Sequence, residues 1–131
     1  MADKINRSLA EWKLEMSFVV MPKDANHYGN VHGGVIMKHA DDIAYALASK
    51  FSRMNVVTAR LSELNFINPV KVGDMVILSA GLVRVGKSSM DIQVRITGDK
   101  LTSGEIFDVA NAHFTMVAVD EQGKPKPIRN V

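Results

Sequence analysis

The sequence predicts a two-layer α+β domain in which one long helix packs against an antiparallel sheet. Across residues 35–51, apolar side chains recur every three or four positions, which is helical spacing: Ile36, Ala40, Ile43, Leu47 and Phe51. On both sides of this segment, apolar and polar residues alternate with a period of two, as in half-buried strands. A chain of 131 residues with 47% hydrophobic content is the size of one domain, so we expect a single domain over residues 1–131.

The alternation predicts four or five strands, one before the helix and the others after it, from segments at residues 12–20, 56–66, 75–85, 89–97 and 106–120. In the second strand the apolar phase slips near Glu63, which indicates a bulge or a face that changes partner. A short connection joins the third strand to the fourth as a hairpin. Residues 1–10 form an N-terminal extension, and residues 121–131 form a polar, basic C-terminal tail.

Composition limits the compartment and the partners. The sequence has no cysteine, so disulfides and thiolate metal or redox sites are excluded, and a reducing compartment fits. No apolar run approaches the roughly 18 residues of a membrane span, and the first residues lack the apolar stretch of a secretory signal. The formal net charge of +2 is too small to indicate nucleic acid. We therefore expect a soluble cytoplasmic protein with no membrane or nucleic-acid partner.

The edges of the predicted sheet indicate the quaternary structure. One face of the sheet can cover the apolar stripe of the helix, but a chain this short leaves sheet edges exposed. Pairing such edges with a second copy of the chain is the usual way to satisfy their backbone hydrogen bonds. The sequence therefore predicts a homodimer.

Two adjacent acids in the predicted helix, Asp41 and Asp42, differ in their surroundings. On a wheel of about 100° per residue, Asp42 lies opposite the apolar stripe and is predicted to be a solvated surface acid. Asp41 falls at the margin of the stripe, beside Met37 and Ala48, where water is partly excluded. Such a carboxylate is either a functional acid or an edge acid that reaches solvent or a neighbouring lysine, and the wheel leaves both interpretations open.

The segment before the helix contains Asn26 and the pair Gly33 and Gly34. Glycines at a helix start let another backbone or a ligand approach, and the unpaired N–H groups there attract an oxygen that gains negative charge. Phosphate is another candidate ligand, although GNVHGG is not the GxGxxG pattern of dinucleotide sites. A tight turn fitted with glycine is the third interpretation. Asn26 either caps the turn or donates a hydrogen bond at the site.

Metal sites and serine-hydrolase sites have little support in the sequence. No H-x-x-x-H pair and no cluster with cysteine occurs among the four histidines, so no metal ligand is predicted at His27, His32, His39 or His113. His113 lies in a predicted strand, where we expect an interior or interface residue with satisfied hydrogen bonds. The sequence has no G-x-S-x-G elbow, so a serine triad has no anchor.

Four motifs follow one another along the chain: DANHYGNVHGGVIMKHADD, NVVTARLSELNFINPVKVGD, RVGKSSM and FTMVAVDEQGKPKP. In this order and spacing they resemble the hotdog-fold acyl-CoA thioesterases, in particular the bacterial acyl-CoA hydrolases close to the brain-type cytosolic enzyme. The resemblance covers residues 16–127. It implies a hotdog fold, in which an antiparallel sheet wraps a long central helix and the sheets of two subunits pair across a dimer. It also implies acyl-CoA hydrolysis without a cofactor, since coenzyme A is part of the substrate.

The resemblance implies catalytic residues as well. The family's acid falls on Asp41, as a general base on water or as a nucleophile that forms an anhydride, and its turn asparagine falls on Asn26. The backbone N–H groups of Gly33 and Gly34 would receive the thioester carbonyl. Because sites in this family lie between two hotdog units, Asn26 of one subunit would meet Asp41 of its partner. Assembly into a trimer of dimers, a hexamer, is also implied.

The nucleotide end of coenzyme A is expected at a basic connection and at the tail. The resemblance places it along the segment Gly86, Lys87, Ser88 and Ser89, with Lys87 as the phosphate partner. Lys124 and Lys126 of the tail are further candidates, because phosphate contacts are largely electrostatic. A solvated surface is the alternative interpretation for all three lysines.

Two other functions could use the same fold. A hotdog hydratase or dehydratase acting on acyl chains would normally use a histidine with an acid, and His39 lies on the far margin of the helix from Asp41. A non-catalytic acyl-CoA-binding regulator would usually need a DNA-binding helix-turn-helix, for which only about ten residues precede the first strand. His32 stands where some relatives carry an aromatic residue, and we give it no catalytic role.

Overall fold

The computed structural model describes residues 8–129 as one long helix packed on a five-stranded antiparallel sheet. Helix α1 spans Gly33–Ser52. The strands are β1 (Lys13–Val19), β2 (Val56–Phe66), β3 (Met75–Val85), β4 (Ser89–Lys100) and β5 (Glu105–Ala118). The predicted α+β class is confirmed, and pairing of sheets across a dimer stays a prediction. Residues 1–7 of the predicted extension and residues 130–131 of the predicted tail lie outside the described residues.

The strand order is β1-β3-β4-β5-β2, so β1 and β2 are the two edges of the sheet. The inward face of the central strands and the buried face of α1 form one apolar core. Its largest fully buried side chains include Leu78, Ile92 and Phe114 from the sheet and Ile36 and Leu47 from the helix. Burial of this core fixes the helix across the sheet, because apolar area removed from water is the main favourable term in folding.

Two bulges keep the apolar side chains of β2 directed toward the core. The register with β5 shifts once after Thr58 and again after Leu61. Both residues nevertheless lie opposite buried core residues, Met116 and Phe114 respectively. In a strand without bulges, residues three positions apart would point to opposite faces, since side chains alternate with a period of two. The irregularity predicted near Glu63 is therefore confirmed as a bulge.

Several element ends differ from the predicted ones. Helix α1 begins two residues before the predicted start, so both glycines belong to its first turn, and it ends before Arg53, which has a left-handed φ of 56°. Strand β4 continues past residue 97 to Lys100. Gly98 weakens the sequence signal there, but the ring of Phe107 on the paired strand occupies the space that a side chain at Gly98 would fill.

The C-terminal tail folds back against the end of the sheet. The backbone N–H of Lys126 donates to the carbonyl of Ala118 at 2.8 Å, and that of Ile128 donates to the carbonyl of Lys87 at 2.8 Å. The side chain of Ile128 is buried. These contacts hold the tail beside the loop that joins β3 to β4.

Candidate active site

Asp41 lies at the margin of the buried face of α1, as the helical wheel predicts. Its side chain is half-buried, and its Oδ1 accepts a hydrogen bond of 2.6 Å from Oγ1 of Thr58 on β2. The contact joins the middle of the helix to an edge strand of the sheet. No other hydrogen bond within residues 8–129 reaches this carboxylate, so Oδ2 is available to another molecule.

Thr58 is a site residue that the sequence interpretation missed. Its partner on β5 is the buried Met116, so it lies on the strand face that carries the helix. The available signal was a hydroxyl side chain two positions after the buried Val56, on the same face of the strand. That signal places a polar group at the helix–sheet boundary without identifying Asp41 as its partner.

Asp42, the next residue, has a different environment. It is exposed and forms an ion pair of 3.1 Å with Lys38, one helical turn away on the same surface. The prediction that Asp42 is a solvated surface acid is confirmed. Only one of the two adjacent acids is therefore positioned by the fold.

Asn26 closes the loop that precedes α1. Its Oδ1 accepts hydrogen bonds from the backbone N–H groups of Tyr28 at 3.0 Å and Asn30 at 3.2 Å. Its own backbone N–H donates to the carbonyl of Asn30 at 2.8 Å. The sequence left open whether Asn26 caps the turn or donates at a site. The loop uses the amide oxygen, so the capping role is confirmed, and the amide NH2 group remains as a donor.

The first turn of α1 has the geometry of an anion cradle. The backbone N–H groups of Val35 and Ile36 both donate to the carbonyl of His32, at 3.0 Å and 3.4 Å. Those of Gly33 and Gly34 form no hydrogen bond with residues 8–129, as expected for the first residues of a helix. Two N–H groups at the positive end of the helix dipole are therefore available to an oxygen atom.

Gly34 has no steric reason within the chain to be glycine. A Cβ atom built there would meet no atom within 4 Å, whereas one at Gly33 would lie 3.4 Å from the ring of Phe66. Glycine lowers helix stability by up to about 1 kcal/mol relative to alanine. A second molecule that approaches the backbone at Gly34 would account for the glycine.

The candidate catalytic groups of one chain do not converge. Asp41 follows Gly33 by about two helical turns, a separation of roughly 12 Å along the axis. A reacting carbonyl must lie about 3 Å from its oxyanion donors, with its base in hydrogen-bond reach of the attacking water. In the described part of the chain, residues 8–129, Asn26 and Asp41 are not joined by a hydrogen bond. If these groups act together, they come from two copies of the chain.

The predicted nucleotide-binding residues do gather at one end of the sheet. The N–H of Gly86 donates to the carbonyl of Ser89 at 2.8 Å, and the carbonyl of Ser88 accepts from Ala118 at the same distance. Lys87 is exposed in this loop and is held beside the tail that carries Lys126. Across the four paired strands, Thr58 of β2 lies level with Met116 of β5, Met90 of β4 and Val85 of β3. The β3–β4 loop begins one residue after Val85, so it lies just beyond the level of Thr58.

Lys124 and Lys126 differ in their relation to this loop. Lys124 is exposed at the end of a turn whose backbone is bound by Oδ1 of Asp120 at 3.0 Å. Lys126, by contrast, lines a groove of about 560 Å³ between the tail and the C-terminal end of α1. The groove also contains Arg53 and Arg129, two cations that the sequence interpretation did not single out, together with the acids Asp120 and Glu121.

The histidines occupy separate parts of the molecule. His27 lies against Tyr28 with tilted rings whose centroids are 4.0 Å apart, and His39 stacks on Phe18 at 4.1 Å. Nδ1 of His113 lies 3.1 Å from Oε1 of Gln93 on the outer face of the sheet, which fits the satisfied strand residue predicted there. No group of three or more His, Asp and Glu side chains that could hold a metal ion occurs in the part of the chain that the structure describes.

Asp91 is the centre of a polar cluster on the outer face. Burial raises the pKa of its carboxyl, but hydrogen bonds from Thr115, Arg84 and His113 outweigh this and leave the pKa below its usual value. The Thr115 bond is 2.7 Å long, and Arg84 lies 3.3 Å from the carboxylate. Asp91 is thus held ionised on the face opposite α1, where it stabilises the sheet and is remote from Asp41.

Comparison with known proteins identifies the family. Residues 28–104 match the model of the thioesterase superfamily. An uncharacterized acyl-CoA thioester hydrolase of Bacillus subtilis is 34% identical over 125 residues, which cover 95% of this chain and 73% of that protein. The cytosolic acyl coenzyme A thioester hydrolase of Mus musculus is 33% identical over 112 residues, covering 84% of this chain and 29% of the mouse protein.

Solved structures agree with these relatives. An apo-hexameric acyl-CoA thioesterase matches the fold with a TM-score of 0.88 and 35% identity, over 92% of this chain and 78% of that one. An acyl-CoA hydrolase from Staphylococcus aureus, solved with butyryl coenzyme A, coenzyme A and coenzyme A disulfide, gives a TM-score of 0.85 at 34% identity over 93% and 74%. That hydrolase has also been solved with alanine replacing an aspartate, a threonine or an asparagine.

Sequence match and fold lead to one conclusion. The family model covers more than half of the chain, the relatives are more than 30% identical over most of its length, and the helix-on-sheet architecture is that of solved thioesterases. The hotdog fold predicted from the sequence is confirmed by this agreement. Within residues 8–129 no helix is long and apolar enough to cross a membrane. The chain belongs to the thioesterase superfamily.

Proposed function

We propose that the protein is an acyl-CoA hydrolase, which cleaves the thioester of acyl-CoA to a fatty acid and free coenzyme A. The observation that carries this proposal is the pairing of Asp41 with Thr58 on one flank of α1, combined with two unpaired N–H groups at the start of the same helix. Thioester hydrolysis requires those two elements, an activated nucleophile and a site for negative charge on the carbonyl oxygen. Relatives named acyl-CoA thioester hydrolases support the same substrate class.

Asp41 supplies the base or the nucleophile. Thr58 donates its hydroxyl to Oδ1 and so fixes the orientation of the carboxylate, which leaves Oδ2 for the substrate side. Oδ2 either removes a proton from the attacking water or attacks the carbonyl carbon and forms an anhydride that water then opens. In both routes the thiolate of coenzyme A leaves after a tetrahedral oxyanion has formed.

The oxyanion is stabilised by donors at the other end of the site. The N–H groups of Gly33 and Gly34 lie unpaired at the positive end of α1. In the loop before this helix, Asn26 also keeps its side-chain NH2 group as a donor. Each such donor typically contributes about 10² to 10³ in rate. This set requires no metal and no cofactor, because the leaving group is itself a good one.

The complete site is shared between two subunits. Strand β2 is an edge strand of 11 residues whose outer edge is unpaired within the described chain, and Val57 and Phe66 are exposed on it. A twofold axis beside β2 would pair it with β2 of the partner and bring the two α1 helices side by side in opposite directions. If the axis passes α1 between Gly33 and Asp41, the first turn of one helix lies beside Asp41 of the other, and the roughly 12 Å within one chain is then no obstacle.

The variants of the Staphylococcus aureus hydrolase support these assignments. Its asparagine, aspartate and threonine, each replaced by alanine in a solved structure, are separated along that chain by the same intervals as Asn26, Asp41 and Thr58 here. Hexameric acyl-CoA thioesterases among the structural matches support assembly beyond the dimer, as a trimer of dimers. The cytosolic mouse relative supports a cytoplasmic location.

Lys87 is proposed to bind a phosphate of the nucleotide. Lys87 is exposed in a loop at nearly the same level of the sheet as Thr58. It can therefore contact the nucleotide end of a substrate whose thioester lies at Asp41. Lys87→Ala should raise KM for acyl-CoA roughly three- to ten-fold with a smaller change in kcat, since this binding is nearly equal in ground and transition states. The effect should shrink as salt is added.

A truncated substrate provides the control for Lys87. An acyl-pantetheine has the thioester but lacks the nucleotide phosphates, so steady-state kinetics with it should be almost unchanged by Lys87→Ala. If KM rose equally for both substrates, Lys87 would support the structure or the chemistry and would not contact the nucleotide.

The positions of His39 and Asp41 bear on the hydratase alternative. His39 stacks on Phe18 of β1, whereas Asp41 contacts Thr58 of β2, and these strands are opposite edges of the sheet. Within one chain, His39 and Asp41 are therefore not placed to act as one hydratase pair. Residues 8–129 contain one α-helix, α1, so no helix-turn-helix lies within them.

Release of free thiol from acyl-CoA tests the proposed function. The purified protein should hydrolyse acyl-CoA in a thiol-detection assay without an added metal or cofactor. Absence of thiol release across a series of acyl-CoAs, together with tight binding of the same compounds, would instead indicate a non-catalytic acyl-CoA-binding protein.

A further inference from the structure

A cavity of about 320 Å³ opens next to the start of α1. Gly33 and Phe66 line it together with the segment between β2 and β3, and Ile36, Val70 and Val109 are almost completely buried among its lining residues. The pocket is therefore about half open to solvent, with buried apolar residues at its inner end. Gly33 belongs both to this pocket and to the first turn that receives the carbonyl in the proposed function.

The interior of the cavity offers little to a polar ligand. The N–H of Ile67 donates to the carbonyl of Val109 at 2.7 Å, and the N–H of Val31 donates to the carbonyl of Val70 at 2.7 Å. The amide of Asn68 is engaged as well, because Nδ2 donates to the carbonyl of Asp108 at 2.8 Å. With these groups paired to one another, the occupant that fits is an apolar chain.

We infer that this cavity receives the acyl chain and that its closed end, formed by Ile36, Val70 and Val109, sets the maximum chain length. This inference rests on the proposed function, since it requires the thioester carbonyl to lie on Gly33 and Gly34. A carbonyl in that position has its acyl carbons directly at the mouth of the cavity. The sulfur then points away from the cavity, toward the side where the partner's Asp41 and the nucleotide would lie.

The volume limits the substrate class. A space of about 320 Å³, part of which is open to solvent, holds on the order of ten carbon atoms at about 30 Å³ for each water-sized group. Short- and medium-chain acyl-CoAs fit inside, whereas longer chains would meet the closed end or extend back into solvent. Each further methylene that is buried should raise kcat/KM about four-fold until the cavity is full.

Val109 provides the variants that test the chain-length limit. Val109→Ala removes bulk from the closed end, and Val109→Ile adds one methylene to it. We expect the optimum of kcat/KM, measured from acetyl-CoA to palmitoyl-CoA, to move about two carbons longer in Val109→Ala and about one carbon shorter in Val109→Ile. Ile36→Val is a milder enlargement of the same end and replaces Val109→Ala if that variant does not fold.

Val94→Ala is the matched control, because Val94 is a fully buried valine that does not line the cavity. It should lower the melting temperature to a similar degree while leaving the chain-length profile unchanged. Two results would show that the cavity does not determine chain length. One is a wild-type optimum of kcat/KM beyond about twelve carbons, and the other is the same chain-length profile in all variants. Absence of turnover with every acyl-CoA in the wild type would overturn the proposed function instead.

Discussion

Asp41→Asn is expected to lower kcat/KM for acyl-CoA by about 10² to 10⁴-fold, the range that a positioned base or nucleophile contributes. Asparagine keeps the shape of the side chain, and its Oδ1 can still accept the hydroxyl of Thr58, which now lies 2.6 Å from the carboxylate. It loses the negative charge and the basicity that the reaction uses. The melting temperature and the oligomeric state should therefore stay close to those of the wild type.

Asp42→Asn is the matched control for this variant. It makes the same chemical change on the adjacent residue, which is exposed and paired only with Lys38. A surface ion pair of this kind typically contributes less than about 1 kcal/mol to stability. We expect kcat/KM to change less than about two-fold, and equal losses from the two variants would show that the assignment between the acids is wrong.

Asn26→Asp should lower kcat by about 10² to 10³-fold, the loss typical for one oxyanion donor. An aspartate oxygen can still accept the N–H groups of Tyr28 and Asn30, so the loop keeps its closure. The second oxygen replaces the NH2 group, so a donor toward the thioester carbonyl becomes an acceptor. The variant separates the two roles of Asn26 because it removes one and preserves the other.

Asn26→Ala removes both roles and serves as the comparison. It should be as inactive as Asn26→Asp but less stable by about 1 to 2 kcal/mol, because two backbone N–H groups lose their acceptor. Thermal unfolding measures this difference. Wild-type activity in Asn26→Asp would mean that Asn26 only closes the loop.

Local patterns predicted most of the fold. Helical spacing located α1 to within two residues, and alternation located β2 and β3 with their observed bounds. The misplaced ends have local causes that depend on distant residues. Strand β4 extends past Gly98, where the ring of Phe107 on the paired strand covers the glycine, and no sequence window of β4 contains that information.

The site was predictable only in part, because some of its contacts also join residues that are distant in the sequence. The wheel placed Asp41 at the edge of the core, because burial follows the helical period, and the family resemblance supplied Asn26 and the glycines. Neither gave the hydrogen bond to Thr58, which joins residues 17 positions apart and depends on where β2 crosses the helix. The packing of the tail against Lys87 was also hidden, because a basic tail carries no periodic signal.

The measurement that tests the shared site most directly is complementation between two inactive variants. A chain with Asn26→Ala still has Asp41, and a chain with Asp41→Ala still has Asn26. If each site takes these residues from different subunits, a mixed dimer contains one intact site and one doubly defective site. Random exchange between equal amounts makes half of the dimers mixed, so about a quarter of the wild-type activity should return.

The experiment requires proof that subunits exchange. Co-expression of the two chains with different affinity tags, followed by sequential purification, yields mixed assemblies directly, and each variant alone sets the background. For a shared site, we expect thiol release from acyl-CoA well above both backgrounds. Assemblies in which mixed dimers are verified by cross-linking, and which are no more active than the single variants, would contradict it, because Asn26 and Asp41 would then belong to the site of one chain.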